Sequence, residues 1–144
     1  MNEIETIERI FKECKTIAVV GLSSNEFRPS NSVASFMKEN GYRIIPVNPN
    51  EKNVLGEQAF PDLLSVPEKV DLVSVFRRSE AAAEVVNQAI QINAKAVWLQ
   101  EGVINEEAAK RAEAAGLLVV MDRCWARDFA KYKRKILSAS NYCK

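Results

Sequence analysis

The feature that most limits what this chain can fold into is an alternation. Five short apolar runs, residues 16–21, 42–47, 70–76, 94–99 and 117–121, are separated by stretches whose apolar residues recur every three or four positions. Runs such as Thr16–Gly21 carry no polar alternation, as expected of strands covered on both faces. The intervening stretches read as helices. Ile4, Ile7, Ile10 and Phe11 line one face of residues 3–14, with glutamates opposite. Ser30 is placed to cap a helix carrying Val33, Ala34, Phe36 and Met37, which Gly41 stops. Ser79 is placed to cap a helix reaching about Ile92, and Asn105 one over residues 106–115, ended by Gly116. A basic helix over residues 126–137 closes the pattern, with a frayed tail at 138–144. Residues 53–60 read as a small extra strand or turn, and Pro61 as the start of one helical turn. Strands joined through helices require crossovers, so the expected fold is α/β: a doubly wound, mainly parallel five-stranded sheet with helices on both faces.

At 144 residues the chain fits one domain, 1–144, with its core in 16–124. Twenty lysines and arginines nearly cancel 19 aspartates and glutamates, which argues against a general nucleic-acid or membrane binder. Histidine is absent, so Ser-His-Asp and Cys-His catalysis and histidine-ligated metals are excluded. Cys14, Cys124 and Cys143 are far apart without a C-x-x-C spacing, which indicates neither a zinc site nor a disulfide framework. No apolar run approaches a membrane span, and the acidic N-terminus does not suit a signal peptide. A reducing cytoplasm is the expected setting.

The polar residues gather after the strands. Strand one opens into Gly21–Ser30, strand two into Asn48-Pro49-Asn50, and strand three into Phe76-Arg77-Arg78-Ser79. The fourth ends in Gln100-Glu101-Gly102 and the fifth in Asp122-Arg123-Cys124. A parallel sheet brings these segments to one edge, where open α/β sheets bind ligands; the opposite connections look like bare turns. In the first loop Gly21 permits a tight turn, Ser23, Ser24 and Ser30 offer hydroxyls, and Arg28 can fork onto phosphate before Pro29 starts a helix. A plain βα turn explains the same residues without a ligand. Neither a G-x-G-x-x-G nor a G-K-[ST] motif is present. Asn48 stands where NAD-binding folds place an acidic residue. With Arg28, Arg77 and Arg78 nearby, a phosphorylated adenosine is favoured over NAD.

Other residues keep two readings. Asp122 and Glu101 are either acid and base or loop anchors. Cys124, beside Arg123 at a helix start, is either a reactive thiol or buried and inert. Phe27 either covers a ligand or anchors its loop, and Trp98 belongs in the core. The run Arg127, Lys131, Lys133, Arg134, Lys135 is more cheaply a solvated helix face than a nucleic-acid patch.

Ile17–Ser23, Arg28-Pro29-Ser30, Ile45–Pro49, Val54–Gly56, Val70–Val73, Val75–Ser79, Ala94–Gln100, Gly102-Val103, Asn105–Ala108 and Val120–Cys124 together resemble the stand-alone CoA-binding-domain proteins. These are small Rossmann-like proteins similar to the CoA-binding domain of the succinyl-CoA synthetase α subunit. The resemblance implies coenzyme A or an acyl-CoA as ligand. It sets Gly21 and Ser23 toward the pantetheine and pyrophosphate, with Arg28-Pro29-Ser30 continuing that loop. It sets Asn48-Pro49 near the adenosine, and Phe76, Arg77, Gln100 and Gly102 in the later loops; Ser24 and Arg123 complete the candidate site. The expected function is CoA binding by a carrier, sensor or regulatory module, with no catalytic and no metal-ligating residue assigned. An NADP-linked oxidoreductase, a thioester-processing enzyme using Asp122 or Glu101 with Cys124, and a Cys124–CoA mixed disulfide are the alternatives. The acidic first helix and basic last helix can pair within one chain or between two, so a homodimer stays open.

Overall fold

Ile7, Ile10 and Phe11 share one face of the first helix and are buried, while Glu5 and Glu13 on that helix are exposed. The computed structural model describes the backbone of residues 1–142 and the side chains of residues 1–139; Cys143 lies outside them. In chain order the elements are α1 (Ile4–Glu13), β1 (Thr16–Val20), α2 (Pro29–Glu39), β2 (Arg43–Val47), a small hairpin of β3 (Asn53–Val54) and β4 (Glu57–Gln58), and β5 (Leu72–Val75). There follow α3 (Ala82–Gln91), β6 (Ala96–Leu99), α4 (Glu106–Ala114), β7 (Leu118–Met121) and α5 (Trp125–Tyr142). Single 3₁₀ turns at Leu63–Ser65 and Ser79–Ala81 precede β5 and α3.

Five strands form one parallel sheet in the order β2-β1-β5-β6-β7. The chain builds outward from β1 to β2, then crosses back past β1 to β5 and proceeds the other way. That reversal makes the carboxyl ends of β1 and β5 the switch point of the sheet, where the loops diverge and leave a crevice. Successive residues of each strand face opposite layers. Ile17 and Val19 pack with α1, α2 and α5, whereas Ala18 and Val20 pack with α3 and α4. The α/β class, the parallel sheet and its two helical layers are as the periodicity predicts.

Several boundaries differ from expectation for local reasons. Ser30 is not the cap of α2. The helix starts at Pro29 after Arg28, and the Ser30 hydroxyl turns back to accept the Ser23 N–H at 3.1 Å. Ser79 likewise does not cap α3; its hydroxyl accepts the Ile104 N–H at 2.9 Å and ties the β5 loop to the β6 loop. Asn105 does cap α4, accepting from the Ala108 N–H at 3.0 Å. α5 continues to Tyr142 where fraying from 138 is expected, and Trp125, Phe129 and Tyr132 in its first half pack on Phe11. Charge pairing between the first and last helices occurs within the chain, through Lys135 Nζ and Glu8 at 2.8 Å. No helix among the described residues is long and apolar enough to cross a membrane.

Candidate ligand cleft at the switch point

The backbone between β1 and β5 sets the site. Gly21 follows β1 with φ +90°, and a Cβ added there would lie 2.1 Å from the Phe76 carbonyl oxygen. Only glycine permits this approach. The Gly21 N–H donates to Val47 O and the Phe76 N–H to Val20 O, both at 2.8 Å, so β2, β1 and β5 end in one stitched rim.

On the α2–α5 side of that rim lies a cleft of about 510 Å³, within the usual range of small-molecule sites. It is lined by Gly21, Ser23, Arg28, Pro29, Ser30, Val33, Phe76, Gln100, Glu101, Val103 and Cys124. Its β1 side is shaped by a self-bonded loop. Asn25 N–H donates to the Ser23 hydroxyl at 3.1 Å, Phe27 N–H to Asn25 Oδ1 at 2.9 Å, and Asn31 Nδ2 to Ser23 O at 2.9 Å. The loop delivers Arg28 and the N-terminus of α2, a positive helix end whose first residue is a proline with no N–H to leave unpaired. Arg28 is exposed and enters no salt bridge among the described residues.

The opposite end is held by buried polar contacts. Gln100 is buried, donating to Ser74 Oγ at 2.8 Å and accepting from the Trp125 N–H at 3.4 Å. Trp98, in the core as expected, donates its indole N–H to Arg123 O at 2.8 Å and so fixes the loop that carries half-buried Cys124. Glu101 pairs with Arg127 at 2.6 Å across the solvent-facing rim, which raises the Arg127 pKa through that hydrogen bond. Asp122, with φ +60°, accepts the Gly102 N–H at 2.7 Å and acts as a loop anchor.

Of the residues singled out from sequence, Gly21, Ser23, Arg28, Pro29, Ser30, Phe76, Gln100, Glu101 and Cys124 converge on the cleft. The others stand apart. The Ser24 N–H donates to Glu51 at 2.7 Å, and its residue lines a separate groove along α2. Asn48 is buried, with Nδ2 donating to Leu22 O at 3.0 Å and Oδ1 accepting the Asn50 N–H, so it braces two loops. Pro49 and Arg77 line a hollow of about 250 Å³ on the α3 side of the sheet. Gly102 gives its N–H to Asp122 and does not line the cleft. Arg123 is turned away: it forks onto buried Asp128 at 2.7 and 2.8 Å, which raises its pKa, and faces a hollow between α1 and α5. Phe27 is 95% exposed and so does not anchor its loop in the core. Sequence reasoning passed over Val33 and Val103 as lining residues, because an apolar residue at helical or loop spacing reads as core. Among the described residues no cluster of side chains is arranged to hold a metal ion.

The model of the CoA-binding domain family matches residues 15–129, which span every strand of the sheet and every loop of the cleft. The chain belongs to the CoA-binding domain family. Within it, the chain is 41% identical over 118 residues to the uncharacterized protein YneT of Bacillus subtilis, covering 82% of this chain and 87% of that protein. It is 30% identical over 101 residues to the ADP-forming acetate–CoA ligase II of Archaeoglobus fulgidus, covering 69% of this chain but 15% of the ligase. The fold recurs in a hypothetical protein from Pyrococcus horikoshii, with 39% identity, a TM-score of 0.86 and coverage of 90% and 91% of the two chains. The resemblance read from the sequence motifs is therefore correct at the family level, and the ligase similarity concerns a small part of a much longer protein.

Proposed function

We propose that this chain binds coenzyme A or a CoA thioester in the switch-point cleft, and that it does so as a carrier, sensor or regulatory module without chemistry of its own. The observation that carries this reading is the convergence of Arg28, the α2 N-terminus and the Gly21 turn on one cleft in a chain of the CoA-binding domain family. Phosphates suit that end, where an exposed guanidinium and a positive helix end lie together. Pantetheine suits the surface of Val33, Phe76 and Val103 beyond it. The hollow beside Pro49 and Arg77, across the Gly21–Phe76 wall, gives the adenosine a second surface. The carrier reading is supported by the ties already made by the two strand-end carboxylates, Glu101 to Arg127 and Asp122 to Gly102.

The test is a thermal-shift panel of CoA, acetyl-CoA, NAD, NADP and ATP, followed by calorimetry. CoA and acetyl-CoA are expected to raise the melting temperature, since a ligand at a hundred times its Kd adds about 2.7 kcal/mol to native stability. Preferential stabilisation by NADP would overturn the assignment.

A further inference from the structure

We infer that Glu101 makes the far end of the cleft selective for CoA carrying a free thiol or an uncharged acyl group, against acyl groups that end in a carboxylate. The inference rests on the CoA reading above and names the acyl class for the same site.

The charges along the cleft fix which way the ligand lies. At the β1 end Arg28 faces solvent and makes no salt bridge among the described residues, beside the N-terminus of α2. At the β6–β7 end Arg127 already holds Glu101, and Arg123 is turned away from the cleft onto Asp128. A ligand with several phosphates and a neutral tail therefore sets its phosphates at the β1 end and runs its tail across the edge of the sheet. β6 is two strands from β1, roughly 10 Å at ordinary strand spacing. The tail arrives among Gln100, Val103, Cys124 and Glu101.

Among the described residues, Glu101 is the one carboxylate that lines the cleft. An acyl carboxylate brought there meets like charge. The cation beside it, Arg127, is already held by Glu101 at 2.6 Å. Both effects act against a dicarboxylic acyl chain, and neither acts on acetyl-CoA. Because the pair is exposed, the discrimination is moderate and falls with salt.

Calorimetry with CoA, acetyl-CoA and succinyl-CoA on the native protein, Glu101→Gln and Arg127→Gln decides the matter. The native protein is expected to favour acetyl-CoA over succinyl-CoA. Glu101→Gln removes the like charge and releases Arg127, so the ratio of succinyl-CoA to acetyl-CoA affinity should rise about three- to fivefold at low salt and less at high salt. Arg127→Gln leaves Glu101 uncompensated and should lower the same ratio. An unchanged ratio in Glu101→Gln, or a rise in Arg127→Gln, with acetyl-CoA still bound, overturns the assignment of Glu101 alone. Failure of CoA and acetyl-CoA to bind the native protein overturns the CoA reading and the selectivity with it.

Discussion

Gly21 bears on the site more than any other single residue. Its backbone is in the left-handed region, and the space for a side chain is filled by the Phe76 carbonyl. Gly21→Ala therefore combines a positive-φ penalty with a backbone clash, and is expected to cost about 2–4 kcal/mol in a denaturant titration. A loss under about 0.5 kcal/mol would show that the rim of β1 and β5 yields freely. Two other residues set an alkaline limit. Burial pushes the Cys14 thiol from 9.0 to about 12 and the Tyr42 phenol from 10.0 to about 12. Both are neutral when protonated, so above pH 9 the unfolded chain releases protons that the folded chain retains. Their contribution to stability is complete below about pH 9 and is lost as pH rises toward 12. A melting-temperature profile over that range, under reducing conditions, should fall less steeply in Cys14→Ala than in the native protein. Identical slopes would remove Cys14 from the account.

At the scale of elements, the loops of the site are braced by side chains that sequence patterns assign to other work. Ser30 and Ser79 stand at helix starts and look like caps. In the folded chain their hydroxyls instead accept N–H groups from Ser23 and Ile104, on other parts of the cleft edge. Asn48, at a position suggestive of ribose recognition, braces the first loop through Leu22 O. Asn48→Asp removes that donor and sets a carboxylate against a carbonyl, at an expected cost of about 1–3 kcal/mol together with weaker CoA binding. Equal stability of the two proteins with reduced affinity would return Asn48 to direct ligand contact. The strand runs and helix periodicities were legible because burial on both faces of a sheet demands them. The bracing was not, because a hydroxyl or amide near a helix start has several partners of similar local geometry.

Across the whole molecule, the order β2-β1-β5-β6-β7 decides which loops meet. It sets the β1–α2 loop beside the end of β5 and opens the cleft toward β6 and β7, so residues from Gly21 to Cys124 line one hollow. Charge follows the same division. Near-neutrality overall conceals an Arg28 that makes no salt bridge among the described residues at one end of the cleft and, at the other, an Arg127 held by Glu101. Arg28→Ala is accordingly expected to weaken CoA binding about tenfold and to flatten its salt dependence by calorimetry, while leaving the fold intact. Unchanged affinity would move the phosphate site away from the α2 N-terminus.

The sequence by itself determined the α/β class, the edge that carries the loops and the family, because periodicity, turn glycines and ordered motifs are local properties of the chain. Only the tertiary structure decided that Arg123 turns to Asp128, that Arg77 and Pro49 lie beyond the Gly21–Phe76 wall, and that Glu101 enters the cleft. Those outcomes depend on which face a loop residue is turned to and which opposite charge waits there, and strand order sets both over separations that no local pattern spans.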